Sequence, residues 1–121
     1  MPTKSILLID DEVPIRSFMQ DFFEDRGFNV ETAGDGVEGV EKFQKGTFDL
    51  VITDMLMPKM IGLEVLKRIK ALKPDQRVML MTGVKEESMK QKAKDLGCYL
   101  YLTKPVQLTE LEARVAECFP Q

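Results

Sequence analysis

Five short apolar runs, each rich in β-formers, alternate along this chain with five stretches of helical spacing. That alternation constrains the fold more than any other feature. The runs cover residues 5–9, 28–32, 50–53, 77–81 and 99–102. Several lack clean alternation of apolar and polar residues, as strands do when both faces are buried. Between them, Ile15, Phe18, Met19 and Phe22 follow the i, i+3, i+4, i+7 spacing of one helix face. Val37, Val40 and Phe43 mark a shorter helix, opened by Asp35 with Glu38 three residues on. Gly39 weakens that helix by about 1 kcal/mol relative to alanine. Val65, Leu66, Ile69 and Leu72 mark a third helix, stopped by Pro74. Met89, Ala93 and Leu96 mark a fourth, with Gly97 just past its end. Leu108, Leu111, Val115 and Cys118 mark the last, stopped by Pro120. The fourth helix is thinly apolar and carries Lys85, Lys90, Lys92 and Lys94, which predicts loose docking and an exposed face.

Strands alternating with helices predict an α/β fold: a doubly wound five-stranded parallel sheet with helices on both faces. At 121 residues and 44% hydrophobic, the chain suits a single domain over residues 1–121, without linker, repeat or low-complexity segment. Apolar runs such as those at 6–9 and 78–81 are four residues, where a membrane span needs about 20. The first nine residues lack the pattern of a signal peptide. The expectation is a cytoplasmic protein with no membrane partner.

Composition then removes whole classes of chemistry. The chain has no histidine, so it holds no Ser-His-Asp or Cys-His triad and no imidazole to carry a phosphoryl group. Its two cysteines, Cys98 and Cys118, are too few for an all-thiolate zinc site and read as reduced thiols. With a net charge of −3 and a pI near 5.1, direct binding to nucleic acid is not expected.

In open parallel sheets, ligands bind outside the carboxyl ends of the strands. After the first run come Asp10, Asp11 and Glu12; after the third, Asp54; after the fourth, Thr82 and Gly83; after the fifth, Thr103, Lys104 and Pro105. The second run ends in Ala33 and Gly34, with nothing reactive. Each has an ordinary explanation alone. Asp10-Asp11 can cap the first helix and Thr82 the fourth. Asp54 can be a solvated turn residue and Lys104 a surface lysine. Ordinary explanations must all hold together at matching strand ends, which favours a site.

If Asp10, Asp11 and Asp54 converge, each pair about 5 Å apart repels by about 3 kcal/mol at an effective dielectric near 20. Lys104 alone cannot neutralise three carboxylates, and a divalent cation can. An oxygen-only donor set selects Mg²⁺, or Mn²⁺, over zinc. Asp54 stands apart from the acidic pair and is the candidate nucleophile, since a carboxylate can form an aspartyl phosphate. Phosphoryl transfer is mostly positioning and charge neutralisation, so it needs no general base here.

Four stretches resemble a known family. They are residues 6–12 (Ile-Leu-Leu-Ile-Asp-Asp-Glu), 49–58 (ending Thr-Asp-Met-Leu-Met-Pro), 81–83 (Met-Thr-Gly) and 101–105 (Tyr-Leu-Thr-Lys-Pro). In order and spacing they resemble the receiver domain of two-component response regulators, over essentially the whole chain.

The resemblance implies a (βα)5 fold with strand order 2-1-3-4-5, one of the common orders of doubly wound sheets. It implies that Asp54 accepts a phosphoryl group from a phosphohistidine on a sensor histidine kinase or phosphotransfer protein. It implies Mg²⁺ held by Asp11 and Asp54 directly, by Asp10 partly through water, and by the backbone carbonyl of Leu56. Lys104 would pair with the phosphoryl oxygens, Thr82 would move to bond them, and Tyr101 would change rotamer. The Lys104–Pro105 bond would be cis, and the output face toward an effector would be the fourth helix, fifth strand and fifth helix. Such a protein acts on itself and is not a turnover enzyme.

This chain departs from the family pattern at Ile61, where a polar residue such as Asp is usual, and at Gly39 and Cys98, where alanine is common. The Ile61 loop is expected to pack differently or to bind a partner. Near the path of an attacking water the family implies side chains at Leu56 and Val84; both are apolar here, so a long-lived phosphoryl group is expected. Two rival readings differ in class. A phosphatase of the haloacid dehalogenase type would need an acid at position 56, which is Leu56. A degenerate receiver would act as a phosphorylation-independent docking module despite the intact site. The chain suits either a free-standing receiver, as in chemotaxis or phosphorelay, or the receiver part of a longer regulator.

Overall fold

The computed structural model describes residues 3–83 and 86–119. Val84, Lys85 and Pro120, which carry parts of the sequence reading, lie outside the described residues, as do Met1 and Pro2.

Strands β1 (Ser5–Ile9), β2 (Asn29–Ala33), β3 (Leu50–Asp54), β4 (Val78–Thr82) and β5 (Leu100–Thr103) form one parallel sheet in the order β2-β1-β3-β4-β5. Helices α1 (Val13–Glu24), α2 (Gly36–Lys45), α3 (Gly62–Leu72), α4 (Glu87–Asp95) and α5 (Leu108–Glu117) follow the strands in turn. The sheet separates two core layers. Leu7, Ile9, Val51 and Leu80 face Val40, Phe43, Val65, Leu66, Ile69 and Ala93, which belong to α2, α3 and α4. Ile6, Leu8, Ile52 and Met79 face Met19, Phe22, Phe23, Leu111 and Val115 on α1 and α5. The continuous apolar runs therefore divide by the period of two, each face feeding a different layer. This is the predicted fold, strand order included.

The elements are where expected, with shifted ends. β2, β4 and β5 begin and end one residue later than their apolar runs, and β3 extends to Asp54. Backbone pairing is indifferent to side-chain polarity, so the ladder runs on to Asp54, Thr82 and Thr103. Asp54 and Thr82 are thus the last residues of their strands rather than the residues after them.

Helix faces also rotate. In α1 the buried residues are Met19, Phe22 and Phe23, whereas Phe18 is 55% exposed. Phe23 meets Phe22 and Phe28 edge-on, and Phe28 in turn meets Phe119, so the aromatic cluster sets the rotation of the helix. Leu72, Val37 and Leu108, expected on core faces, are also exposed. Each lies at or near a helix end, where the stripe leaves the sheet.

Asp35 caps α2 as predicted, accepting from Glu38 N at 2.8 Å. The return arm differs from a simple capping box: Glu38 Oε1 accepts from Gly34 N at 2.6 Å instead of from Asp35. Gly39 has a packing reason. A Cβ there would stand 2.4 Å from Cδ1 of Ile9, so α2 lies directly on β1.

Candidate functional site

The sheet register builds the site. Ile6 to Ile9 pair in order with Leu50 to Thr53, so the next residues, Asp10 and Asp54, leave adjacent strands side by side. This is where strand order reverses between β1 and its two neighbours. Carboxylate oxygens of Asp10, Asp11, Glu12 and Asp54 all lie within 4.8 Å of one another. Sequence reasoning brought together Asp10, Asp11 and Asp54 and passed over Glu12 as a member. The signal for Glu12 was its place in the unbroken acidic run.

Asp10 is 1% and Asp54 7% exposed. Asp54 Oδ1 accepts from Met55 N at 2.7 Å. Asp54 Oδ2 lies 3.1 Å from Lys104 Nζ, which is also 3.7 Å from Asp10 Oδ2. Lys104 therefore reaches the acidic cluster. Its own N–H donates to the Thr82 carbonyl at 2.7 Å, and the Lys104–Pro105 peptide bond is cis.

Burial pushes the Asp10 carboxyl above its ordinary range, outweighing the Glu12 N–H and the Lys104 ammonium that favour its charge. For Lys104 the balance goes the other way. Burial opposes its charge, but Asp54 and Asp10 beside it together hold the ammonium above the usual lysine range.

Capping does not account for the acidic run. The N-cap of α1 is Glu12, which makes no side-chain capping bond, and Asp10 Oδ1 instead accepts from Glu12 N at 2.9 Å. Nor does Thr82 cap α4, whose N-cap is Glu86. Thr82 is buried at the end of β4, and Tyr101 lies on β5, partly buried against the α2–α4 core layer.

Leu56 occupies the turn after Asp54 with its side chain 59% exposed. Gly62, the first residue of α3, closes the turn by donating to the Met55 carbonyl at 2.7 Å.

These residues fit a hard divalent cation. The donor set is oxygen only, four carboxylates surround one nearby ammonium, and Asp10 Oδ2 is buried without a hydrogen-bond partner. An orphaned buried carboxylate oxygen is costly unless a cation or water completes it.

The family model of the response regulator receiver domain matches residues 6–116. The chain belongs to that family. Receiver domains are signalling modules of two-component systems, working with histidine kinases or phosphotransfer proteins and with effector domains, and are not turnover enzymes. Sporulation initiation phosphotransferase F of Bacillus subtilis (strain 168) is 33% identical over 120 residues, covering 99% of this chain and 97% of its own length. The transcriptional regulatory protein DltR of Streptococcus agalactiae serotype III (strain NEM316) is 36% identical over 110 residues. That match takes in 91% of this receiver but 49% of DltR, so the chain spans about half of that relative. Among solved structures, the chemotaxis protein CheY4 of Vibrio cholerae superposes with a TM-score of 0.92 at 30% identity, covering 98% of this chain and 100% of that one. The response regulator TrrA of Thermotoga maritima, solved in complex with Mg(2+)-BeF, gives 0.88 at 32% identity, over 97% and 100% of the two chains. No helix among the described residues is long and apolar enough to cross a membrane.

Proposed function

We propose that this receiver domain, spanning residues 1–121, accepts a phosphoryl group on Asp54 from a histidine kinase or phosphotransfer protein. The observation that carries the reading is the bridge made by Lys104, whose ammonium pairs with Asp54 Oδ2 at 3.1 Å and with Asp10 Oδ2 at 3.7 Å, too far to give that buried oxygen a hydrogen bond. A site with this surplus of negative charge is poised for a cation and a phosphoryl group together.

Asp10, Asp11, Asp54 and the Leu56 carbonyl would hold Mg²⁺, or Mn²⁺ in its place, with Glu12 at the edge of the cluster. Bound there, the cation would neutralise charge on the transferring group. The chain's own residues supply the rest. An Asp54 carboxylate oxygen attacks phosphorus as the phosphorus–nitrogen bond to the donor imidazole breaks, and the imidazole keeps the electron pair. The Met55 N–H bond to Oδ1 fixes the carboxylate plane. Lys104 bonds the phosphoryl oxygens, and its main chain, tied to the Thr82 carbonyl, couples β4 to the β5–α5 turn. Thr82 then bonds the phosphoryl group and Tyr101 repacks against α4, carrying the change to the α4–β5–α5 face and an effector. The relatives support this partner class through what their names state: a sporulation phosphotransferase, a chemotaxis protein and transcriptional regulators.

The test is acetyl phosphate with Mg²⁺ and mass spectrometry of the intact chain. Wild type should gain one phosphoryl group and Asp54→Asn none. Equal labelling of Asp54→Asn removes Asp54 as acceptor.

A further inference from the structure

Arg16 of α1 donates from Nη1 to the main-chain carbonyl of Asp10 at 2.7 Å. It is half-buried, and its guanidinium lies on the β2–α2 turn: a Cβ built on Gly34 would stand 3.1 Å from Nη1. That turn is itself tied down, since Gly34 N donates to Glu38 Oε1 at 2.6 Å and Glu38 N to Asp35 Oδ1 at 2.8 Å. Arg16 thus sits in a slot built by the turn beside its own helix.

The paired ladder of β1 and β3 ends at Ile9 and Thr53, so the Asp10 carbonyl has left the sheet. Three of the four polar groups on Asp10 are held: N donates to Ala33 O at 3.1 Å, Oδ1 accepts from Glu12 N at 2.9 Å, and O accepts from Arg16. The fourth, Oδ2, is buried at the acidic cluster with no hydrogen-bond partner and only the Lys104 ammonium at 3.7 Å beside it. With N, O and Oδ1 held, the turn has little freedom, and the direction of Oδ2 is set.

We infer that Arg16 is a positioning residue of the cation site, acting through the Asp10 carbonyl to hold the β1–α1 turn with Oδ2 facing the cation. The inference rests on the metal reading above. Its signature is geometric. Mg²⁺ is small and demands near-ideal octahedral ligands, while Ca²⁺ accepts looser, more variable sets. Loosening the turn should therefore harm Mg²⁺ binding more than Ca²⁺ binding. Charge alone acts oppositely, because removing a nearby cation relieves repulsion of either metal alike.

The experiment is calorimetric titration of chelator-treated wild type, Arg16→Lys and Arg16→Met with MgCl2 and, separately, CaCl2. It is run at a temperature where circular dichroism shows each variant folded. Arg16→Lys keeps the charge and loses the planar fork, and carries the test if Arg16→Met does not fold. Both should lose about tenfold in Mg²⁺ affinity, the scale of lost outer-shell support, and clearly less in Ca²⁺ affinity. Unchanged Mg²⁺ affinity, or equal factors for the two metals, overturns the inference while leaving the metal site standing. A wild type that binds neither cation overturns the metal reading and this inference with it.

Discussion

Gly62 lies against the main chain of Asp54 so closely that a Cβ on residue 62 would stand 2.4 Å from the Asp54 carbonyl oxygen and 2.9 Å from Met55 Cα. A third near atom, Leu80 Cδ2 at 2.9 Å, belongs to a side chain that can shift, but the two main-chain atoms cannot turn away to make room. Helix α3 therefore begins in contact with Asp54, and Gly62→Ala must push one or the other aside. Overpacking of this kind costs about 2 kcal/mol. Urea denaturation should show that loss, and acetyl phosphate labelling of Asp54 should slow. An alanine variant with wild-type stability and labelling would refute the contact.

Burial holds the Asp10 carboxyl above its ordinary value of 3.8. A carboxyl raised in the fold contributes stability that is full below 3.8 and is lost as pH rises through the folded value. Asp10→Asn cannot ionise. In chelator it should melt with wild type near pH 3 and above wild type at pH 7, and excess Mg²⁺ should reverse that order. Thermal melts across pH check both halves.

Ile61 is the N-cap of α3, is 40% exposed and makes no side-chain capping bond. An Asp there, the residue type the family pattern favours, can accept from an N–H of the first turn. Ile61→Asp should raise stability by about 1 kcal/mol in chemical denaturation. A destabilised variant would mean that the Ile61 side chain packs more productively than its exposure implies.

Thr82 is buried at the end of β4, within one strand of Tyr101. Thr82→Ala should still accept phosphate on Asp54 and transmit it poorly. Amide NMR shifts around Tyr101 and Lys90 on beryllofluoride binding should shrink in the variant. Undiminished shifts would take Thr82 out of the switch.

Leu56 presents an exposed apolar side chain in the turn after Asp54, and that side chain offers an attacking water neither donor nor acceptor. The phosphorylated wild type should decay slowly, and Leu56→Asn should decay several-fold faster by positioning that water. Decay of the radiolabelled protein measures it. Equal rates would end the argument from water placement.

The sequence carried much of this. Apolar runs such as 6–9 and 50–53 announce buried parallel strands, because a strand covered on both faces has no polar side to show. The spacing of Asp10, Asp11, Asp54, Thr82 and Lys104 was legible because each falls at a strand's carboxyl end, and a parallel sheet brings those ends together. Asp35 announced its cap locally, within three residues.

What remained hidden depends on contacts between distant segments. Local spacing put Phe18 on the core face of α1, but the rotation of that helix is set by Phe23 meeting Phe28 and by Phe28 meeting Phe119 across the chain. Gly39 read as a weak helix residue until Ile9 was found beneath it. Arg16 carries no signal in the sequence for its place, because only the fold lays its guanidinium on the Asp10 carbonyl. Hydropathy and spacing describe what a residue prefers and which face of its own element it shares. Which atom lies against it is decided when separate elements pack, since close packing lets only one rotation of each helix fill the space above the sheet.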